Sequence, residues 1–295
     1  MKKVFLFVAM AAVVACSKPV FDEDIEGDEE LTEVDMTKTK KFTFTVKGDF
    51  VIEQEEPTRG YLTAEDNQMT DLWVFDFIGG SCVQSIHQVK TDDDWGQPVL
   101  SLAYGSHHVY FVASRGTGPT LNETAKTITW TKPSDTFWED YEVTVVSTSN
   151  GNRAVTLDRV VTKLKVTIED QVPTGMATLS ITPANWYCGM SYQTGEPSDA
   201  RTNESRVINV PDSYVGTSGQ LSASIFGFSS ESEWDTDITV TAKDGSNQTL
   251  GSASIADAPF KRNRTTEFSG PLFGTSGATA VSVNEDWLDA YTGSW

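Results

Sequence analysis

Strict alternation of apolar and polar residues is the feature that most narrows the folds open to this chain. Phe42, Phe44 and Val46 alternate with Thr43, Thr45 and Lys47, and from Lys163 to Ile168 the alternation is unbroken. Successive side chains of a strand point to opposite faces, so this period of two describes strands with one face buried and one solvated. Similar segments recur at Leu72 to Ile78, Val83 to Val89, Val109 to Ala113, Thr127 to Trp130, Tyr141 to Val146, Val155 to Leu157 and Arg159 to Ile168. Between them stand turn dipeptides: Gly79-Gly80, Gly105-Ser106, Arg115-Gly116, Gly118-Pro119 and Asn150-Gly151. No long segment has helical periodicity, apart from a candidate turn near Ser134 to Asp140.

A second series of strand segments follows Asp170 to Gly175, which is the best candidate linker. It comprises Ala177 to Ile181, Arg206 to Val210, Gln220 to Phe228, Asp237 to Ala242, Thr249 to Ile255, Arg264 to Phe268 and Ala280 to Val283. Many short strands with strong turns between them predict an all-β protein built of sandwiches. The expected organisation is two β-sandwiches in tandem, residues 36–170 and 171–295. One large sandwich is the alternative.

The N-terminus has a separate logic. Lys2 and Lys3 precede an uncharged apolar run from Val4 to Val14. About 20 residues are needed to cross a hydrocarbon core as a helix, so this run has the length of a secretory h-region. It ends at Ala15-Cys16, where the sequence turns polar. The arrangement resembles a bacterial lipobox, which makes residues 1–15 a signal peptide and Cys16 the lipidation site. An ordinary signal peptide that happens to contain a cysteine is the rival. Acyl chains on Cys16 would give a stable membrane anchor, each buried methylene contributing about 0.8 kcal/mol.

Residues 16–35 then carry Asp22, Glu23, Asp24, Glu26, Asp28, Glu29, Glu30, Glu33 and Asp35. Such a run repels itself and buries too little apolar area to fold, so it reads as an acidic tether. Acidic residues shortly after a lipidated cysteine can also act as an export signal to the outer face. The chain as a whole has a formal net charge of −20. That argues against a nucleic-acid partner, whose phosphates need clustered Lys and Arg, and against adsorption to an anionic lipid surface. Cys82 and Cys188 are the remaining cysteines. One pair is no disulfide framework, and two separate thiols are expected over a bridge.

Chemistry is sparse. The three histidines are His87, His107 and His108, and the adjacent pair must face opposite sides of a strand. No His-x-x-x-His, Cys-x-x-Cys or phosphate-binding glycine loop is present, and the Gly-Thr-Ser-Gly segments at Gly216 and Gly274 read as turns. Asp92-Asp93-Asp94 lacks the rest of a calcium loop and reads as a solvated hairpin end. Asp158, Arg159 and Lys163 read as structural or surface pairs. The expectation is therefore no catalysis, no cofactor and no metal. Among the eight tryptophans, Trp73 and Trp130 lie in strands and are expected in the core, while Trp95, Trp138, Trp186 and Trp234 sit nearer turns. A row of exposed rings there would make the chain a surface glycan-binding lipoprotein.

Four segments occur in order: Thr70 to Asp76, Gly105 to Ala113, Leu157 to Leu164 and Lys261 to Phe273. With the lipobox and a late Trp287 they resemble the Bacteroidetes fimbrillin superfamily, in particular its FimB-like anchor branch. The resemblance implies two transthyretin-like β-sandwiches, lipid anchoring at the outer-membrane surface, and other fimbrial subunits as partners. It implies further that polymerising members lose the lipid and a first strand by cleavage after an arginine, whereas anchors keep both. Arg59, in the polar Glu53-to-Gly60 segment, is then the candidate processing site; an ordinary loop arginine is the alternative. The terminal segment from Ala280 through Trp287 to Trp295 can dock in its own domain or in a partner. A host or glycan ligand stays unassigned.

Overall fold

Where the sequence alternates, the backbone is extended. The computed structural model describes residues 34–48, 60–61, 69–273 and 291–294. In chain order its strands are β1 (Asp35–Gly48), β2 (Gly60–Tyr61), β3 (Asp71–Ile78), β4 (Ser81–Val89), β5 (Val99–Ser114), β6 (Thr117–Asn122), β7 (Thr127–Lys132), β8 (Thr136–Val145), β9 (Asn152–Arg159) and β10 (Val161–Ile168). They continue as β11 (Met176–Pro183), β12 (Asn185–Ser191), β13 (Pro197–Thr202), β14 (Arg206–Asn209), β15 (Leu221–Phe228), β16 (Trp234–Asp244), β17 (Thr249–Phe260), β18 (Thr265–Gly270) and β19 (Tyr291–Ser294). One 3₁₀ turn, Asp212–Tyr214, interrupts them. Among the described residues no helix is long and apolar enough to cross a membrane.

The first sandwich is one sheet folded over on itself. The early part of β5, Val99 to Tyr104, pairs with β1, while Gly105 to Ser114 pairs with β8 and β3. Gly105 sits where β5 passes from one layer to the other, with φ of 135°. A Cβ there would lie 2.9 Å from Val34 Cγ2, so only glycine fits both the backbone and the space. The Gly105-Ser106 signal thus bends a strand where the sequence suggested a turn between two. Gly79 and Gly80, with φ of 55° and 83°, do form a turn, the two-residue hairpin joining β3 to β4.

The alternation fixes what faces inward. Phe42, Phe44 and Val46 of β1 meet Leu72 and Val74 of β3, Leu100, Leu102, Val109 and Phe111 of β5, and Val155 and Leu157 of β9 in one core. The opposite face of β3 (Trp73, Phe75, Phe77) is buried too, against β7 and β12 of a small sheet ordered β13-β12-β7-β6. The second sandwich stacks the sheet β15-β10-β18-β19 on the sheet β14-β11-β16-β17. Leu164, Val166 and Ile168 of β10 fill its core with Leu179, Ile181, Val240 and Phe260. The all-β, sandwich expectation holds.

Several details differ from the sequence reading. Strand β10, within the 36–170 segment, pairs with β15 and β18 of the later half. The Asp170-to-Gly175 stretch is folded in: Val172 is buried in the second core, and Asp170 accepts the backbone N–H groups of Leu272 and Phe273. The turn expected near Ser134 to Asp140 is the start of strand β8, because Thr136 to Val145 lies along β5 in an antiparallel ladder. Two strands, β6 and β13, lack the alternation that would have marked them.

Candidate strand-addition site

β1 is the strand on which any addition or exchange would turn. Its central residues bond on both sides. Toward β5 it pairs antiparallel, from Thr39↔Ala103 to Thr43↔Val99, and then Phe44 N–H donates to Pro98 O at 3.0 Å and Val46 N–H to Gly96 O at 3.1 Å. Toward β9 it pairs parallel, from Thr43↔Asn152 to Gly48↔Leu157, with Thr43 N–H on Gly151 O at 2.7 Å. Phe42, Phe44 and Val46 are fully buried. The Phe44 ring lies 5.2 Å from Phe111 and 5.8 Å from Tyr141, both edge-on, and 6.1 Å from Phe42. Burying three such side chains stabilises the sandwich by about 5–9 kcal/mol. Removing β1 would leave an apolar slot flanked by unpaired backbone groups of β5 and β9, the shape that accepts an added strand.

Arg59 lies outside the described residues, as do Cys16, Trp287 and the 280–283 segment. The two residues after Arg59 are described: Gly60 and Tyr61 form β2 and pair back on the end of β1, Gly48↔Gly60 and Lys47↔Tyr61. At the other end, β19 lies parallel to β18, Thr266↔Tyr291 to Ser269↔Ser294. The terminal segment therefore lies, for those residues, on a sheet edge of its own domain.

The titratable groups singled out in the sequence fall into structural pairs. His107 and His108 do face opposite sides of β5. His107 is fully buried, with Nδ1 2.7 Å from Asp76 Oδ1 and Nε2 2.9 Å from Ala103 O. Both partners can accept, an arrangement that favours the doubly protonated ring. Burial opposes that charge, but the Asp76 hydrogen bond and charge outweigh it and hold the ring above its ordinary 6.5. His108 is exposed beside Asp140, and His87 stacks on Trp73 at 4.7 Å with Nε2 2.8 Å from Asp71. In the Asp92-Asp93-Asp94 run, Asp92 Oδ2 accepts Val89 N–H at 2.8 Å, which accounts for one carboxylate by turn geometry. Gly216, with φ of 80°, sits in a turn; Gly274 lies outside the described residues.

Arg159 makes a two-pronged bond to the buried Asp135 at 2.6 and 2.9 Å, a pairing that no local spacing announces. It lines a pocket of about 280 Å³ with Asp158, Glu231, Lys261, Arg262, Asn263 and Arg264. There the arginines are already engaged: Arg262 donates to Ser229 O and Gly195 O, and Arg264 to Glu233. These bonds tie the β17–β18 turn to the 229–233 and Gly195 segments. Lys163 is fully buried over the Phe226 ring, and burial lowers its ammonium to about 8. Cys82 is exposed and Cys188 buried, and both are free thiols.

Of the tryptophans, Trp73, Trp95, Trp130 and Trp186 are buried, and Trp138 and Trp234 are half-buried. Trp138 and Trp234 direct their indole N–H inward, to Tyr192 O and Ser229 Oγ. The described tryptophans therefore form no exposed row. Trp186 is a core residue of strand β12, and Trp95, although in a turn, is buried in the first core.

No protein-family model matches the chain, and no curated protein matches it by sequence. Solved structures do resemble it. A candidate adhesin from Bacteroides ovatus aligns over 74% of this chain and 83% of its own at 11% identity, with a TM-score of 0.50. The fimbrial anchor protein Mfa2 from Porphyromonas gingivalis aligns over 74% and 83% at 8% identity, TM-score 0.42. The tip fimbrial protein Mfa3 of the same organism, truncated at its C-terminus, aligns over 78% and 94% at 12% identity, TM-score 0.40. At such identities the likeness is one of fold.

Proposed function

We propose that this chain is a non-catalytic subunit of a surface fimbria. In this reading acyl chains on Cys16 hold it to the outer membrane, and it joins other fimbrial subunits by strand addition. The observation that carries the reading is the position of β1, an N-terminal strand that supplies three core side chains and is bonded on both sides. It is followed, across a polar segment, by Arg59 and by the β2 residues that pair back on it. A cut after Arg59 would sever β1 from the body and leave a strand-shaped slot. An uncut chain would keep β1 in its own sheet, as an anchor or accessory subunit would, and this is the form we favour. The fold shared with a candidate adhesin supports a role at the cell surface.

Intact mass of the protein extracted from cell-surface membranes tests both halves of the proposal. The expected species is acylated at Cys16 and uncut. A non-acylated species beginning at Gly60 would replace the anchor with a polymerising subunit. A chain carrying neither acyl group nor cut would sink the anchoring role.

A further inference from the structure

A second site lies on the face of β5 and β8 that points away from the β1 core. Tyr110 stands opposite Asp140 and His108 opposite Glu142 in the antiparallel ladder. Residues two apart on a strand share a face, so His108, Asp140 and Glu142 project together. His108 Nδ1 lies 3.0 and 3.1 Å from the two Asp140 oxygens and 3.9 Å from Glu142 Oε1. One donor atom from each residue can be chosen so that all lie within 4.8 Å of one another. Ligands about 2.1 Å from a tetrahedral metal stand ~3.4 Å apart, a spacing that these separations bracket.

We propose that His108, Asp140 and Glu142 form a binding site for a divalent transition-metal ion of the zinc class. The donor set is one imidazole nitrogen and two carboxylates, which suits zinc and its neighbours more than the all-oxygen preference of calcium or magnesium. The scaffold is rigid where it needs to be. β5 and β8 are paired continuously from Gly105↔Val145 to Ser114↔Thr136, and the Tyr110 ring lies 6.0 Å from that of His108 and near parallel to it, at 16°. Glu142, the most exposed of the three side chains, has the freedom to close the remaining gap. Three protein ligands leave a fourth position for water or for a group from outside. His87 with Asp71 is the internal contrast: the same pair of residue types at 2.8 Å, with no third ligand grouped beside it among the described residues.

The sequence hid this site because its ligands come from two strands more than 30 residues apart, so no short motif links them. Titration of the full-length protein with Zn²⁺ by calorimetry tests it. The expected result is one saturable zinc per chain, weakened at least tenfold by each of His108→Gln, Asp140→Asn and Glu142→Gln and unchanged by Asp71→Asn. Zinc uptake that survives all three substitutions, or no saturable uptake, would overturn the site. NMR of the His108 ring in the unaltered protein supplies a readout that needs no variant. Its resonances should move with zinc occupancy, and unmoved resonances during zinc uptake would also refute the assignment.

Discussion

Replacing Phe44 by alanine tests whether β1 belongs to the native core in solution. The ring is fully buried and touches Phe42, Phe111 and Tyr141. Its burial is worth about 1.5–3 kcal/mol, and well-oriented aromatic neighbours add about 0.5–1.5 kcal/mol per pair. The cavity left behind brings the expected loss to about 3–5 kcal/mol. With a urea slope of roughly 2 kcal/mol per molar, a loss of about 4 kcal/mol lowers the unfolding midpoint by ~2 M. Thr45→Ala, next along the same strand but on its other face, should cost no more than about 1 kcal/mol. Urea unfolding followed by tryptophan fluorescence reads both. If Phe44→Ala moves the midpoint no further than Thr45→Ala does, β1 is not a core strand, and the reasoning from its burial to a strand-addition site falls with it.

Other outcomes follow from the same structure. A chain beginning at Gly60 forgoes about 5–9 kcal/mol of β1 burial, comparable with the whole stability of many domains. A peptide of residues 35–48 should bind it and raise the midpoint of its first unfolding transition, and a midpoint that the peptide leaves unmoved would count against the slot. Asp135→Ala leaves the Arg159 cation buried without its carboxylate and should destabilise by about 3–5 kcal/mol in the same urea assay. Because the folded state holds the His107 imidazole above 6.5, its contribution is fully present below that pH and is lost as pH rises through the raised folded value. Melting temperature should therefore fall with pH in that window, and His107→Gln should flatten that part of the profile. Thiol labelling of the native protein should modify Cys82 before Cys188 and leave Cys188 protected until the chain unfolds, as their exposure and burial require.

Period-two segments were legible because one face of each is solvated. Thus β1 and β10 could be read residue by residue, and the inward positions of Phe42, Phe44, Val46, Leu164, Val166 and Ile168 followed. β12 was harder to read: Trp186, Cys188 and Met190 share one face, the first two entering one core and the third another. On its other face Tyr187 and Gly189 stand between the polar Asn185 and Ser191, which blurs the period. β6 failed for the opposite reason: all six of its residues are exposed, and it is extended only because it pairs with β7. The opposite facing of His107 and His108 needed only strand geometry. Their partners, Asp76 and Asp140, needed the ladder, as did the joining of Arg159 to Asp135.

The two-sided bonding of β1 also has a mechanical consequence. A pull on the N-terminal end of β1, directed along the strand, loads the β5 ladder on one flank and the β9 ladder on the other in shear. Many backbone bonds then share the load together, and none can open alone as the end bond of a peeled hairpin does. β5 and β9 each continue into the second layer of the sandwich, so the load spreads through both layers instead of stopping at one sheet. A body built this way resists a pull along β1 far better than peeling across it.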